Sequence, residues 1–519
     1  MTIATVSKKG NKGSGGPVEA VLSPDPGSLK RRELGQVFTP GPVAAFMASL
    51  FENLPREVDL LDAGAGHGAL SQALVQRLCT GRRKPRRISV TAYEVDGSAI
   101  EPLQTTMNRC SRECEEAGID FSVNVLNEDF IAATAPMVRG DLFSAQPPRF
   151  NAAIVNPPYR KIHSDSATRQ LLRSAGIETS NLYTGFVALI IKLLAKGGEL
   201  VAITPRSFCN GPYFKPFRSI FLGTMTLRRL HVFESRSAAF AGDDVLQENV
   251  IVHAVKGDSR PDRIIISTSS GRPEDQVSER EVDYREVVLH DDPEQFIHLL
   301  VDDGHAKAGT VMDHLPATLA DLGLDVSTGR VVDYRAASYL RQEPGNDTVP
   351  LIYPCHFNGG FVQWPKENSR KPNAIINDER TQDLLVPAGI YVLVKRFTSK
   401  EERRRVVACI YDPECIHSPL VGFENHLNYF HVQGHGVTMD LAKGLAAFLN
   451  STVVDTYFRR FSGHTQVNAT DLRSLRYPNR DALEQVGHTL NDPEMSQEEL
   501  DDFDGERFLG PYPDTMPQR

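Results

Sequence analysis

At 519 residues the chain is longer than an ordinary single domain and predicts two, or at most three. Its 40% hydrophobic and 24% charged residues belong to a globular protein, and no run of about eighteen apolar residues is there to cross a membrane. The net charge of -9 argues against a nucleic-acid partner only until it is located. Residues 481–519 hold eleven Asp or Glu against two Arg and carry all of it. The rest of the chain is neutral and contains basic clusters such as Arg82-Arg83-Lys84, Arg228-Arg229 and Arg403-Arg404-Arg405. Local positive surface governs steering onto phosphates more than the total does.

Residues 1–30 are polar and rich in glycine and lysine, without the apolar middle of a signal peptide, and read as a flexible tail. From residue 31 to about 310 short apolar runs alternate with longer amphipathic ones. Strands are predicted at Asp59–Asp62, Ile88–Glu94, Phe121–Val125, Phe150–Val155 and Glu199–Thr204. Helices are predicted at Ala69–Leu78, Ser98–Ala117 and Leu182–Ala195, the last capped by Gly197-Gly198. Strands separated by helices imply an α/β fold with an open, mainly parallel sheet.

A polar stretch follows at Val277–Leu300, with a helix expected near its end. Residues 311–480 read as a second, mixed α+β domain of short strands, turns and scattered aromatics, with one long helix at Leu441–Tyr457. Residues 481–519 read as an acidic tail with at most a helical turn or two at Gln497–Phe503. The cysteines, Cys79, Cys110, Cys114, Cys209, Cys355, Cys409 and Cys415, form no paired metal-type spacing. An odd, scattered set fits reduced thiols in a cytoplasmic protein, and no metal site is expected.

Two motifs carry chemistry. Asp62-Ala63-Gly64-Ala65-Gly66-His67-Gly68 lies between a strand and a helix, where glycines let the backbone turn sharply and approach a ligand closely. A dinucleotide would place pyrophosphate there, but the acidic Asp62 suits a cationic sulfonium such as that of S-adenosylmethionine better. Glu94 ends the next strand, where an acid grips ribose hydroxyls. Asp129-Phe130 follows the third strand and offers an acid and an aromatic face to an adenine ring.

The second motif, Asn156-Pro157-Pro158-Tyr159, leaves the end of an apolar strand, the edge at which open α/β sheets bind ligands. Two prolines remove two backbone donors. The motif then presents the Asn156 amide oxygen, the Pro157 carbonyl and the Tyr159 ring, two acceptors and a stacking plate for an exocyclic amino group. That nitrogen is a poor nucleophile because its lone pair is delocalised into the base. Two acceptors holding both N–H bonds favour a pyramidal nitrogen that can attack a sulfonium methyl directly. A base inside a duplex must be flipped out to reach such a site.

With these residues in this order, the chain resembles the gamma-class amino-methyltransferases of restriction–modification systems, and looks most like the PstI/BsuBI type. Gln36-Val37-Phe38-Thr39-Pro40 is similar to that family's N-terminal cofactor motif. The resemblance implies a Rossmann-like S-adenosylmethionine-dependent domain followed by a DNA target-recognition domain. It implies that Thr39, Asp62, Gly64, Gly66, Glu94, Asp129 and Phe130 line the cofactor site, and that Asn156, Pro157 and Tyr159 receive adenine. Phe214 is the expected second aromatic against the flipped base. A short palindrome in double-stranded DNA would be read from the major groove, with Arg330, Gln466, Asn468, Lys395 and Arg396 as candidate readers. A cognate restriction endonuclease would be a separate chain. His67 departs from the family's usual small residue or Thr.

The acceptors alone leave other planar nitrogens open: a protein glutamine, an RNA base or a cytosine amino group. A non-catalytic DNA-recognition subunit is the remaining alternative. The long second half and the cofactor-like segment before the glycine loop favour DNA. The choice of adenine follows from the resemblance.

Overall fold

The computed structural model describes residues 38–140, 147–233, 248–257, 259–270, 276–398, 402–462 and 465–490. The expected tail at 1–30, the Gln36-Val37 start of the cofactor segment and the helical turn at Gln497–Phe503 lie outside the described residues.

Apolar residues in the first half alternate, and the two sets enter opposite cores. In β1 (Glu57–Ala63), Val58 and Leu60 enter one core and Leu61 and Ala63 the other. In β4 (Phe150–Val155), Ala152 and Ile154 join the first pair, and Ala153 and Val155 the second. Successive side chains of a strand point to opposite faces, so a strand covered on both sides is apolar throughout. β2 (Arg87–Tyr93), β3 (Asp120–Leu126), β5 (Leu194–Pro205), β6 (Met225–Phe233), β7 (Asn249–Lys256), β8 (Arg263–Ser269) and β9 (Ser278–Asp283) complete a nine-stranded sheet. Its order is β3-β2-β1-β4-β5-β7-β6-β8-β9. β1 to β5 run parallel, and β7 runs antiparallel between β5 and β6.

Helices α1 (Gly41–Ser49), α2 (Ala69–Thr80) and α3 (Gly97–Ala117) cover one face. Helices α4 (Phe130–Arg139), α5 (Ala167–Ser174), α6 (Leu182–Leu193) and α7 (Lys215–Thr224) cover the other. This is the doubly wound, Rossmann-like arrangement expected of the first half. α6 buries every residue but Lys192. It stops at Leu193 and is not capped by Gly197-Gly198 as expected, because Leu194 already pairs with Phe150 of β4.

No helix forms near the end of 277–300. The chain makes β9, one turn at Tyr284–Val287 and an isolated bridge between Val288 and Ile297; the helix comes later, at Asp303–His314, capped by the Asp302 side chain on the His305 amide. The expected boundary near residue 310 falls inside that helix. Leu299 and Leu300 still belong to the first half's core, whereas Phe296, Ala308 and Met312 belong to the second's, so the chain changes core at 296–308.

The second half holds a six-stranded and a five-stranded sheet of short strands backed by helices. The long helix expected at Leu441–Tyr457 is two, Met439–Leu449 and Thr452–Phe461. The Asn450 amide leaves the helix to pair with both backbone groups of Ala408, at 3.0 and 3.1 Å, and Ser451 caps the next helix through the Val454 amide. Residues 481–490, expected to begin the acidic tail, continue the fold as the helix Arg480–Thr489, with Leu483 and Val486 buried. No helix among the described residues is long and apolar enough to cross a membrane.

Arg480–Thr489 crosses Met439–Leu449 with backbone against backbone. A Cβ at Gly487 would lie 1.7 Å from the Asp440 carbonyl oxygen, and one at Gly444 would lie 1.9 Å from that of Leu483. Gly487→Ala must therefore part the two helices, and should lower the unfolding free energy by roughly 1–3 kcal/mol, read as an earlier urea midpoint. Gly223→Ala, in a helix with nothing within 4 Å of the new methyl, is the control and should leave the midpoint unchanged or raise it.

Candidate active site

β1 and β4 are adjacent, with Leu60 beside Ala152 and Leu61 beside Ala153. Strand order reverses between them, and the C-terminal ends of strands at such a reversal open a crevice. The glycine loop leaves β1 and Asn156 leaves β4, so the two motifs meet across that crevice. A cleft of about 870 Å³, counting the solvent space it opens onto, lies there. Six of the expected residues line it: Gly64, Gly66, Glu94, Asp129, Phe130 and Asn156.

Backbone geometry explains the glycines. Gly64, Gly66 and Gly68 all have positive φ, at 81°, 53° and 82°. The amides of Gly64 and Ala65 both donate to the Tyr93 carbonyl at 2.9 Å, folding the loop onto the end of β2. A Cβ on Gly68 would also strike Leu103 at 2.8 Å.

Glu94 is buried and accepts the Gly66 amide on one oxygen (2.8 Å) and the Asp96 amide on the other (2.7 Å). Asp129 caps α4 through the Ala132 amide at 2.9 Å while facing the cleft. Phe130 stands between Tyr93 and Phe186, with ring centroids 5.2 and 5.1 Å away, and gives the cleft an apolar wall.

Asp62 is placed differently from expectation. It is fully buried, does not line the cleft, and accepts the Ser71 hydroxyl of α2 at 2.6 Å together with the Ser71 amide. Burial pushes its carboxyl up to about 7; the Ser71 bonds pull it partly back, and the nearby Glu94 adds to the rise. Its other oxygen, Oδ1, is buried with no hydrogen-bond partner among the described residues. A carboxylate on the first turn of α2 occupies the place where a dinucleotide's pyrophosphate would sit.

On the facing side, the Asn156 amide is locked. Its Nδ2 donates to Thr39 Oγ1 at 3.0 Å, and its Oδ1 accepts from the Tyr159 hydroxyl at 2.8 Å. Burial holds the Tyr159 phenol protonated, so it remains a donor. Among the described residues no hydrogen bond ends on the Pro157 carbonyl, and Pro157 itself is buried. Thr39, expected at the cofactor, instead orients the amide. It is held there because α1, which follows it, is fastened at its far end. Arg77 donates to the Ala48 and Phe51 carbonyls, and the buried Glu199 accepts the amides of Glu52 and Asn53. Tyr159 is packed into the core beside Tyr183, edge to face at 6.3 Å, and does not line the cleft as an open plate.

Sequence reasoning missed Phe38, Tyr93, Arg160 and Phe186, all of which line the cleft. Phe38 lies inside the cofactor-like segment, and its ring packs on His67 at 4.5 Å, which is what His67 does in the loop. Phe214 is a correction. Its ring is 8% exposed and packed 5.7 Å from Tyr183, so it cannot face an incoming base, whereas the adjacent Tyr213 is 73% exposed.

Asn468 is a second correction. It is buried and occupied with Asp471 through its amide and side chain, at 2.8 and 3.2 Å, at the start of the helix Ala469–Arg473. Arg330 is exposed and reaches the Asp383 carbonyl at 3.3 Å. Gln466 pairs with Phe397 in an isolated bridge. Lys395 and Arg396 lie over the rings of Phe357 and Phe397.

A mainly parallel sheet with antiparallel β7 inserted between β5 and β6, a glycine loop with an acid against its helix, and an Asn156 amide fixed next to the Pro157 carbonyl define a methyltransferase. The comparisons then place the chain within that class. It is 44% identical to the Type II methyltransferase M.PstI of Providencia stuartii over 91% of this chain and 92% of that protein. It is 43% identical to the Type II methyltransferase M.BsuBI of Bacillus subtilis over 92% and 95%. Residues 94–240 match the Eco57I restriction-modification methylase family. Among solved structures, the type IIG restriction endonuclease BpuSI is similar at a TM-score of 0.45 and 14% identity, over 89% of this chain and 62% of that one. The chain belongs to the family of Type II restriction–modification DNA methyltransferases that includes M.PstI and M.BsuBI.

Two predictions follow from the hydrogen bonds. Tyr159→Phe and Thr39→Val each remove one partner from the Asn156 amide, and each should slow single-turnover methyl transfer by about tenfold, the loss expected for one hydrogen bond, with cofactor affinity changed less than threefold. Asp62 holds its proton more tightly in the folded chain than in the unfolded one. Folding therefore takes up a proton between about pH 4 and about pH 7, and the stability of the cofactor-free protein falls as pH rises through that window. Asp62→Asn should flatten the thermal midpoint against pH across it.

Proposed function

We propose that the chain transfers a methyl group from S-adenosylmethionine to the exocyclic amino group of an adenine flipped out of double-stranded DNA. The carrying observation is the Asn156 amide, fixed in orientation by Thr39 and Tyr159 next to the Pro157 carbonyl, at a strand end facing the glycine loop. Tyr159 orients Asn156 Oδ1 by donating to it, and that amide oxygen is the acceptor for one N–H of the base. The Pro157 carbonyl is the acceptor for the second N–H.

The bound cofactor supplies an electrophilic methyl group on a sulfonium. Its fit rests on Glu94 for the ribose hydroxyls, Asp129 and Phe130 for the adenine, and Gly64 and Gly66 for close backbone approach. The Asp62 carboxyl, bonded to Ser71 in the first turn of α2 and with its other oxygen orphaned among the described residues, favours a cation over a phosphate at the loop. Asn156 is neutral and a poor base, so the amino proton leaves after transfer. Every cysteine of the first half that the structure describes is buried, and none lines the cleft, so no covalent enzyme intermediate is needed.

The second half reads a short site, and Arg330 and Gln466 remain its candidate contacts. Adenine rather than cytosine follows from the resemblance of the motif order. The protein acts in the cytoplasm as the modification partner of a separate endonuclease that cuts the same site.

The test is to incubate the full-length protein with duplex DNA and labelled cofactor and to sequence the methylated positions. N6-methyladenine at one short sequence is expected. Asn156→Ala should reduce transfer by at least about a hundredfold, the scale of losing one acceptor at the transition state, with DNA binding retained. Label on cytosine, RNA or protein would replace the substrate, and activity retained in Asn156→Ala would remove that residue from the chemistry.

A further inference from the structure

The segment Ile203–Ser207 leaves β5 beside the target pocket and holds two tyrosines. The Tyr159 hydroxyl lies 3.3 Å from the Ile203 carbonyl, and the Tyr183 hydroxyl lies 3.1 Å from Ser207 Oγ. Tyr183 in turn packs against Tyr159 and Phe214. Within this segment stands Arg206, only 8% exposed. Its amide donates to the Glu248 carbonyl at 2.7 Å, and its Nη1 donates to the Glu248 carboxylate at 3.1 Å.

The other arm of Arg206 crosses into the second half. Nη2 donates to the carbonyls of Arg459 (2.6 Å) and Arg460 (3.2 Å), in the last turn of the helix Thr452–Phe461. The last carbonyls of a helix have no partner within it and form the negative end of its dipole. A planar guanidinium can satisfy two at once, and Glu248 balances its charge in a buried setting. The Arg460 carbonyl also accepts the Leu299 amide at 2.6 Å. A few residues past this helix end, Gln466 pairs with Phe397 in the part of the second half expected to meet DNA.

We propose that Arg206 is a positioning residue that couples the seating of the recognition half on its DNA site to the geometry of the methyl-accepting pocket. The route is short: helix end, Arg206, the flanking Ile203 and Ser207, then Tyr159 and Tyr183, then Asn156. It rests on the proposed reading in taking Asn156 and the Pro157 carbonyl as the groups that receive the target base and the second half as the part that reads DNA. Two of its partners are backbone carbonyls more than 250 residues from Arg206, a pairing that no local sequence pattern encodes.

The experiment compares full-length Arg206→Ala, Arg206→Lys and Glu248→Gln with the unaltered protein. It reads single-turnover transfer at saturating DNA and cofactor, cofactor affinity without DNA, affinity for cognate and scrambled duplexes, thermal midpoint, and the fluorescence of 2-aminopurine at the target position. Arg206→Ala should slow transfer by about 10- to 100-fold, the loss of one or two charge-assisted hydrogen bonds, and should weaken the 2-aminopurine signal. Cofactor affinity and binding to scrambled duplex should stay within about twofold of the unaltered protein, because neither uses the coupling. Arg206→Lys, able to reach one carbonyl at a time, should recover part of the rate.

Transfer at the normal rate in Arg206→Ala would overturn the proposal. So would a loss of rate that tracks the thermal midpoint across all three variants, which marks a structural brace. If Arg206→Ala does not fold, the other two variants decide: a slower rate at an unchanged midpoint supports the coupling, and an unchanged rate overturns it. An unaltered protein that methylated cytosine would overturn the adenine reading alone, and the same comparison would then be read on that base.

Discussion

The parallel pairing of β1 with β4 sets the geometry on which the site depends. Two registers, Leu60 with Ala152 and Leu61 with Ala153, place the glycine loop and Asn156 side by side at one end of the sheet. Both strands are apolar on both faces, so a slip of one residue would exchange the two core sets and is strongly disfavoured. The helices that follow these strands pack on opposite faces, which leaves the crevice between the strand ends open. A cofactor in that crevice and a base above it would then meet without either motif having to move.

Three polar side chains of the cleft are partnered before any ligand enters. Glu94 holds two backbone amides, Asp129 caps a helix, and Asn156 is held between Thr39 and Tyr159. Such preorganisation means that binding does not have to arrange these dipoles, which is where electrostatic catalysis draws most of its advantage. Asp62, buried behind the loop and outside the cleft lining, is different, with one oxygen unpartnered among the described residues and its carboxyl pushed up to about 7. A buried acid so poised responds to positive charge nearby: a bound sulfonium would draw it back towards the carboxylate and strengthen its grip on Ser71 and the loop.

The regular parts of this arrangement were legible in the sequence. Strands β1 to β4 fall within two residues of expectation, because β-branched runs bounded by helical periods are local signals. The glycine loop and the Asn-Pro-Pro-Tyr turn are local too. What could not be read depends on distant partners. Phe214 looks like an available aromatic until Tyr183 and the wall of Gly211 enclose it. Asn468 looks like a base reader until Asp471 engages it. The break at Asn450 requires Ala408, and the helix at Arg480–Thr489 requires the two glycines that let it approach Met439–Leu449. An acidic composition described the residues beyond it but concealed this last packed helix.

The seam between the halves shows what kind of assembly this is. Phe296, where the chain first enters the second half's core, stacks on Phe461 at 5.2 Å, and His298 is wedged against Tyr457 and Phe461, kept neutral by burial and by the neighbouring Arg460. Arg460 is itself buried, with its guanidinium over the Tyr457 ring and one arm on the Glu286 carbonyl. Separating the halves would expose these rings and strand two buried guanidinium groups, a cost far above that of parting an ordinary wet interdomain contact. The second half is therefore part of the catalytic body rather than a detachable reader. The helix Thr452–Phe461, with the Arg206 arm on its last carbonyls, is the part of the second half that is tied to the end of β5.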